Sequence, residues 1–335
     1  MSKKVLISDP TLRDGNHAIA HKLTPEQVAK YAKAAEAAKV PIVEVGHGNG
    51  IGASSFQVGL AVAADYDLLK AARDNLSDSK LGIHSIPGFS TIKRDIQNAI
   101  DVGVDVFRIA CHCTEADITE KHIGYLREKG KTVHGVLMMS HMASPEVLAE
   151  EAAKMELYGA EAVVFMDSAG AYLPQDVSER VAKLVSNLRI PVGFHGHNNL
   201  GMAVANTVAA VESGASIVDG TVRGFGAGAG NTQLEVLVAV LEKLGYDTGI
   251  DLYRILDAAD LAEKEFIPVV PFVSSTSVVS GLSGVFSGFI KHVNRVALEF
   301  GVDPRDVFFE LGKRKAVAGQ EDMIVEVAVA LSRKK

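Results

Sequence analysis

Eight short β-rich apolar runs, separated by alanine-rich stretches with helical spacing, recur along the chain as far as residue 222. The runs are Val5–Ile7, Ile42–Val45, Leu81–Ile83, Val104–Ile109, Val133–Leu137, Ala162–Met166, Pro191–Phe194 and Ile217–Val222. Between them lie amphipathic segments such as Pro25–Lys39, Ser144–Tyr158, Leu173–Leu188 and Gly201–Ser213. Thr24-Pro25-Glu26 and Ser144-Pro145-Glu146 put proline at the first helical position, and Gly103, Gly159 and Gly214 stand where C-terminal caps belong. A strand that is followed each time by a helix returns parallel to its predecessor, so the alternation predicts consecutive βαβ units.

An open doubly wound sheet and a closed (β/α)8 barrel both satisfy that alternation, and the polar residues separate them. Asp9 and Arg13-Asp14 follow the first run, and His47 follows the second. His84 and His112 end the third and fourth, and Ser140-His141 follow the fifth. Asp167-Ser168 end the sixth, His195 and His197 end the seventh, and Arg223 follows the eighth. An open sheet gathers its site at one switch point, whereas a barrel builds it from the ends of many strands. The expected fold is therefore α/β: a (β/α)8 TIM barrel over residues 1–245, followed by a small helical C-terminal domain over 246–335. In the latter, Ile250–Phe266, Phe289–Phe300, Asp303–Leu311 and Asp322–Leu331 read as helices. Pro268–Pro271 is a break, and Ser274–Ser287 is rich in Ser, Gly and Val.

Composition narrows the function classes. A chain of 335 residues, 47% hydrophobic and 22% charged, buries a core without needing disulfides. A net charge of -7 argues against nucleic acid or an anionic membrane as the main partner. The basic cluster Arg333-Lys334-Lys335 reads as a solvated helix end. Cys111 and Cys113, at i and i+2 of one strand, make a poor disulfide pair. With Met-Ser-Lys-Lys leading straight into Val5, this points to a reducing cytoplasm. No apolar run approaches the length of a membrane span.

Three motifs carry chemistry. In His195-Gly196-His197 the histidines lie at i and i+2 of a strand end, so both imidazoles reach one ion, and Asn198-Asn199 stand ready to orient or extend the ligand set. In Asp9-Pro10-Thr11-Leu12-Arg13-Asp14-Gly15-Asn16-His17, Arg13 and Asp14 stand side by side above the first strand. A carboxylate beside two histidines suits a divalent ion with open positions, and an adjacent guanidinium suits charge growing on a substrate oxygen. Gly224-Phe225-Gly226-Ala227-Gly228-Ala229-Gly230-Asn231 fits either an anion-cradling or a flexible loop. Cys111-His112-Cys113 lacks the second ligand pair of a structural zinc site, so His112 is read as facing the barrel mouth. Ser168 lies in Asp-Ser-Ala-Gly, not in a nucleophile elbow.

Thr11-Leu12-Arg13-Asp14-Gly15 together with His195-Gly196-His197-Asn198-Asn199 resembles the metal-dependent aldolases, lyases and Claisen condensing enzymes on TIM barrels, a group including 3-hydroxy-3-methylglutaryl-CoA lyase and isopropylmalate synthase. Asn16-His17-Ala18, Val45-Gly46-His47-Gly48, Asp167-Ser168-Ala169-Gly170 and Gly319-Gln320-Glu321-Asp322-Met323 narrow the resemblance to the 4-hydroxy-2-oxovalerate aldolase family. The resemblance implies a divalent ion, Mn2+ with Mg2+ or Co2+ as alternatives, held by Asp14, His195 and His197. It implies Arg13 as stabiliser of a pyruvate enolate, His17 as base for the 4-hydroxyl, Glu44 as a carboxylate near Arg13, and Arg13, Ser168 and His195 as substrate contacts. The implied reaction is cleavage of a 4-hydroxy-2-oxo acid to pyruvate and a short aldehyde. The implied partner is an acylating acetaldehyde dehydrogenase, within a homo- or hetero-oligomer. Two alternatives stay open: an acyl-CoA Claisen condensing enzyme or lyase, and a weakly active barrel serving a dehydrogenase. Leu282 and Phe286 stand where relatives carry tyrosines, Ala318 where a glycine is expected in a stretch associated with aldehyde passage, and Asn49 in place of an aspartate.

Overall fold

The computed structural model describes residues 3–333, so Lys334 and Lys335 of the basic terminal cluster lie outside the described residues. Eight parallel strands close into a barrel in sequence order: β1 (Leu6–Leu12), β2 (Ile42–Val45), β3 (Lys80–Ser85), β4 (Val106–His112), β5 (Thr132–Met138), β6 (Ala162–Asp167), β7 (Val192–Gly196) and β8 (Ile217–Asp219). Ile217 pairs back to Leu6 and closes the ring. Around it run α1 (Pro25–Ala37), α2 (Asp65–Arg73), α3 (Gln97–Val102), α4 (Glu120–Glu128), α5 (Pro145–Leu157), α6 (Pro174–Asn187), α7 (Ala203–Glu212) and α8 (Leu234–Lys243). The fold class read from the alternation is the one observed.

The start and stop signals work as their chemistry requires. Thr24 and Gln27 form a reciprocal capping box on α1, and Ser144 accepts from Val147 N on α5, each with proline at the next position. Gly103, Gly159 and Gly214 have φ of +96°, +106° and +112°, a region that favours glycine.

Strand alternation sorts the barrel's side chains into two sets. Val43, Val45, Leu81, Ile83, Phe107, Ile109, Val163, Phe165, Phe194 and Val218 face the helices and form the main core. The alternate residues face the barrel axis. There, Ala110, Val136, Ala162, Val164, Met166 and Ile217 make a small apolar layer. Toward the mouth the inner set turns ionic: Glu44, His84, Arg108, His195 and Asp219 are all buried. A barrel interior is ordinarily filled by branched aliphatic residues, so buried charge here marks chemistry.

Four further features were not foreseen or sharpen the reading. Lys3–Lys4 pair in parallel with Tyr246–Asp247 as a two-stranded annex. Of the stretch after residue 245, α9 (Leu252–Glu265) packs on α1 and α8, and its Ile255, Ala258, Ala259 and Ala262 belong to the main core. The Ser/Gly-rich stretch holds a helix, α10 (Ser275–Ser283), capped by Ser274 and by Gly284 at φ +65°. Its small residues permit close approach: a Cβ on Gly281 would lie 2.9 Å from Leu200 and 3.1 Å from Gly170 O. With α11 (Ile290–Phe300), α12 (Pro304–Lys313) and α13 (Asp322–Ser332), α10 builds a second, separate core around Val285, Phe289, Val293, Phe308, Leu311 and Ile324.

Candidate metal and catalytic centre

β1 ends at Leu12, and a single helical turn, Gly15–Ala18, follows it at the mouth. That puts Asp14 opposite the end of β7, where His195 and His197 project. One ligand atom from each of the three lies within 4.8 Å of the others, and all three residues are buried. Asp14 Oδ2 accepts from Arg13 Nη1 at 2.6 Å, while Oδ1 accepts from Asn231 Nδ2 at 3.0 Å and Ala227 N at 3.1 Å. The glycine-rich loop thus wraps the protein's own carboxylate. A Cβ on Gly226 would fall 2.3 Å from Asn231 Nδ2 and 2.7 Å from Asp14 Oδ1, so glycine is needed for the approach. Burial opposes ionisation of Asp14, but Arg13 and then His197, His17 and His195 hold its carboxyl well below the usual range.

His195 Nδ1 lies 2.8 Å from Asp219 Oδ2. Placing the proton on Nδ1 leaves the Nε2 lone pair free, and Nε2 is buried with no protein partner. His197 is hydrogen-bonded to the Ala227 backbone, burial lowers it to about 4, and its Nδ1 is likewise buried and unpartnered. Two open imidazole nitrogens beside an ionised carboxylate are a donor set that fits a divalent cation with vacant positions.

Behind this set runs a chain of buried charges. Asp14 pairs with Arg13, and Arg13 Nε meets Glu44 Oε1 at 2.5 Å. Glu44 Oε2 meets Arg108 Nη1 at 3.0 Å, Arg108 Nη2 lies 2.7 Å from Asp219 Oδ2, and Asp219 returns to His195. Burial raises Glu44, but Arg13 and Arg108 outweigh it and bring its carboxyl down to about 2. Arg13 is therefore gripped on two edges while its Nη2, buried and without a partner, is left to donate to a ligand.

The structure brings Arg13, Asp14, Glu44, His195 and His197 together. His17 joins them at the rim: it is partly buried, and burial lowers its pKa to about 4 against the opposing pull of Asp14. Ser168 stands apart at the end of β6, its Oγ accepting from Met139 N and its carbonyl from Ser287 N and Oγ. Other polar strand ends serve elsewhere. Asp9 faces the helices and accepts from Thr11 N and Tyr31 OH, burial lifting it to about 6. Asp167 accepts from Ala171 N and Tyr172 N. His141 Nε2 meets Gly284 O, and Arg223 turns outward to Glu235 and Glu263. Asn199 does not extend the ligand set; it accepts from Ala229 N and donates to Ala169 O and Ser287 Oγ, tying the helical unit to the mouth. Of the departures, Phe286 packs edge-on 6.3 Å from His17, and Leu282 is exposed. Ala318, with Ile86 and His112, lines a cavity of about 410 Å³.

Arg108, Asp219 and Asn231 are the participants that sequence reasoning missed. A signal existed for the first two: a charge inside Val-Phe-Arg-Ile and inside Ile-Val-Asp is costly on an inward-facing strand position unless it is paired. Asn231 ends the glycine-rich motif, but nothing local assigned it to Asp14.

The sequence pattern of the HMGL-like family matches residues 4–262, and that of the DmpG-like communication domain matches residues 271–333. The chain is 64% identical to the 4-hydroxy-2-oxovalerate aldolase of Pectobacterium atrosepticum over 100% of its own length and 97% of the relative's. It is 66% identical to that of Spirochaeta aurantia over 96% and 95%. Among solved structures, the carboxyl transferase domain from Rhizobium etli pyruvate carboxylase superposes with a TM-score of 0.84 at 17% identity, covering 99% of this chain and 60% of that one; this likeness concerns the fold alone. No helix among the described residues is long and apolar enough to cross a membrane. With the fold, the metal-type donor set and these relatives in agreement, the chain belongs to the HMGL-like family and, within it, to the 4-hydroxy-2-oxovalerate aldolases.

Proposed function

We propose that the chain is a class II aldolase that cleaves 4-hydroxy-2-oxo acids, 4-hydroxy-2-oxovalerate among them, to pyruvate and a short aldehyde such as acetaldehyde. The observation that carries the reading is the open set of Asp14, His195 Nε2 and His197 Nδ1 beside the unpartnered Nη2 of Arg13. Asp14, His195 and His197 would hold a divalent cation, Mn2+ on this reading, which would supply Lewis-acid polarisation of the substrate's 2-oxo oxygen. Arg13 donates to the same oxygen as negative charge gathers on it, and Glu44 keeps the guanidinium aimed. His17, neutral at pH 7 because burial lowers it, takes the proton of the 4-hydroxyl as the C3–C4 bond breaks. The bonding pair passes to C3, giving the enolate of pyruvate and the aldehyde; C3 then takes a proton from solvent, and His17 returns the hydroxyl proton to solvent. Ser168 is read as the contact for the substrate carboxylate.

The match of residues 271–333 to a communication domain supports an acylating acetaldehyde dehydrogenase as the partner that takes the aldehyde. A reducing cytoplasm is the proposed location. The test is a cleavage panel of 4-hydroxy-2-oxo acids of increasing length, each with Mn2+, Mg2+ and EDTA. Cleavage that resists EDTA, or that survives in His195→Ala, sinks the reading. Thiol release from acetyl-CoA with a 2-oxo acid would replace it by the condensing-enzyme alternative.

A further inference from the structure

Three histidine rings lie in series beside the metal-type set, and only the first has a part in the reaction just described. His21 and His47 are stacked with centroids 3.6 Å apart and planes 16° from parallel, and His17 meets His21 edge-on at 5.2 Å. Burial lowers both, His21 to about 2, so each ring has one donor and one acceptor nitrogen. All four nitrogens are committed to backbone. His21 Nε2 donates to Val58 O at 3.1 Å, and its Nδ1 accepts from Gly48 N at 3.4 Å. His47 Nε2 donates to Gly59 O at 3.0 Å, and its Nδ1 accepts from Asn49 N at 3.1 Å.

Gly48 is where this arrangement meets the site. A Cβ there would lie 2.6 Å from Cδ2 and Nε2 of His17, so the glycine backbone lies directly against that ring. Its carbonyl accepts from Arg13 Nη1 at 3.3 Å. Phe286 packs edge-on against another side of the His17 ring. The backbone that delivers His21 is strained: Ala20 and His21 have φ of +53° and +59°, a left-handed region that such residues seldom occupy. They are held by His21 N donating to Asn16 O and Val62 N donating to His21 O.

We propose that His21, backed by His47, is a positioning residue that holds Gly48 and the edge of the His17 ring so that the His17 base faces the substrate hydroxyl. The proposal rests on the aldolase reading. Arg13 is independently held by Glu44 and Asp14, so chemistry that needs only the enolate does not depend on His21.

The test uses the full-length protein with Mn2+ and two variants. His21→Asn tolerates a positive φ and removes the ring; Gly48→Ala drives a methyl group into His17 by a separate route. Two rates are measured: cleavage of 4-hydroxy-2-oxovalerate, and exchange of the pyruvate methyl protons in D2O, which involves no 4-hydroxyl. Each variant is expected to lower kcat for cleavage about 30- to 100-fold, with KM and the exchange rate within about threefold of wild type, as misplacing a reacting group by about an ångström does. Unchanged kcat in both variants overturns the proposal, as does parallel loss of cleavage and exchange, which would mean collapse of the whole site. A wild-type protein that neither cleaves nor exchanges defeats the aldolase reading itself, and this proposal with it.

Discussion

Replacing Arg108 by methionine tests whether the buried charge chain supports the centre. Arg108 is 1% exposed and touches two carboxylates, Glu44 at 3.0 Å and Asp219 at 2.7 Å. Two such pairs, about 4 Å between charge centres at an effective dielectric near 20, are worth roughly 4 kcal/mol each before desolvation is counted. Removing the guanidinium also returns its own desolvation penalty of several kcal/mol, so the net cost is expected at about 3–5 kcal/mol. Glu44 retains Arg13, but Asp219 is left with only the imidazole of His195, so the loss falls on the metal-ligand side. In a chain of 335 residues that cost corresponds to a fall in Tm of about 4–7 °C. If His195 ligates the cation as proposed, disordering the carboxylate that orients it is expected to weaken Mn2+ binding about 10- to 100-fold. Thermal unfolding in EDTA reads the first quantity and competition with a fluorescent chelator reads the second. The triple variant Arg108→Met, Glu44→Gln, Asp219→Asn should recover much of the Tm, because no buried charge is left unpaired, yet should still bind Mn2+ weakly. Arg108→Met with wild-type Tm and wild-type Mn2+ affinity would refute the argument.

Gly226→Ala is expected to weaken Mn2+ binding about 10- to 100-fold with little change in Tm, since its methyl would press on Asn231 and Asp14; unchanged affinity by titration calorimetry would count against the cradle. Burial, and next Arg108, lowers His134 to about 4, against an ordinary value of 6.5. The unfolded chain therefore binds that proton first: stability is intact above pH 6.5 and is lost as pH falls toward 4, by roughly 3 kcal/mol in all. Denaturant midpoints of wild type and His134→Gln should agree near neutral pH and separate as pH falls toward 4, the wild type dropping, because only the imidazole acquires a buried charge. Asn199→Ala removes the acceptor for Ala229 N and a donor to Ser287, a loss of about 1–3 kcal/mol. Hydrogen exchange over residues 275–333 should quicken in that variant, and unchanged protection would show that the tie is idle.

Legibility differed with the range of the interaction. The strands, most of the helices and their caps are written locally, because a period of 2 or 3.6 and a proline or glycine at a boundary act over a few residues. Helix α10 escaped notice because serine and glycine favour turns and caps in isolation. Here Ser283 Oγ donates back to Val279 O, Ser280 Oγ donates onward to Val285 O past the helix end, and Gly281 is required by the packing against Leu200. Asp9 and Asp167 looked like site residues for the opposite reason. Position near a strand end does not say which face the carboxylate takes, and parity turned both toward the helices.

The metal-type donors His195 and His197 were visible because two residues on one strand face share a direction, and Asp14 because it opens the first loop above the same mouth. Sequence determined that much by itself: eight βα units, a closed barrel and three donor side chains, Asp14, His195 and His197, converging on one end. The tertiary structure alone decided the rest. Arg108 reaches Glu44 across 64 residues and Asp14 reaches Asn231 across 217, contacts that exist only after the barrel closes. Closure also excludes water from the interior, and that exclusion drives the charges in apolar strands to pair with one another, while His195 Nε2, His197 Nδ1 and Arg13 Nη2 are among the buried atoms left without a protein partner.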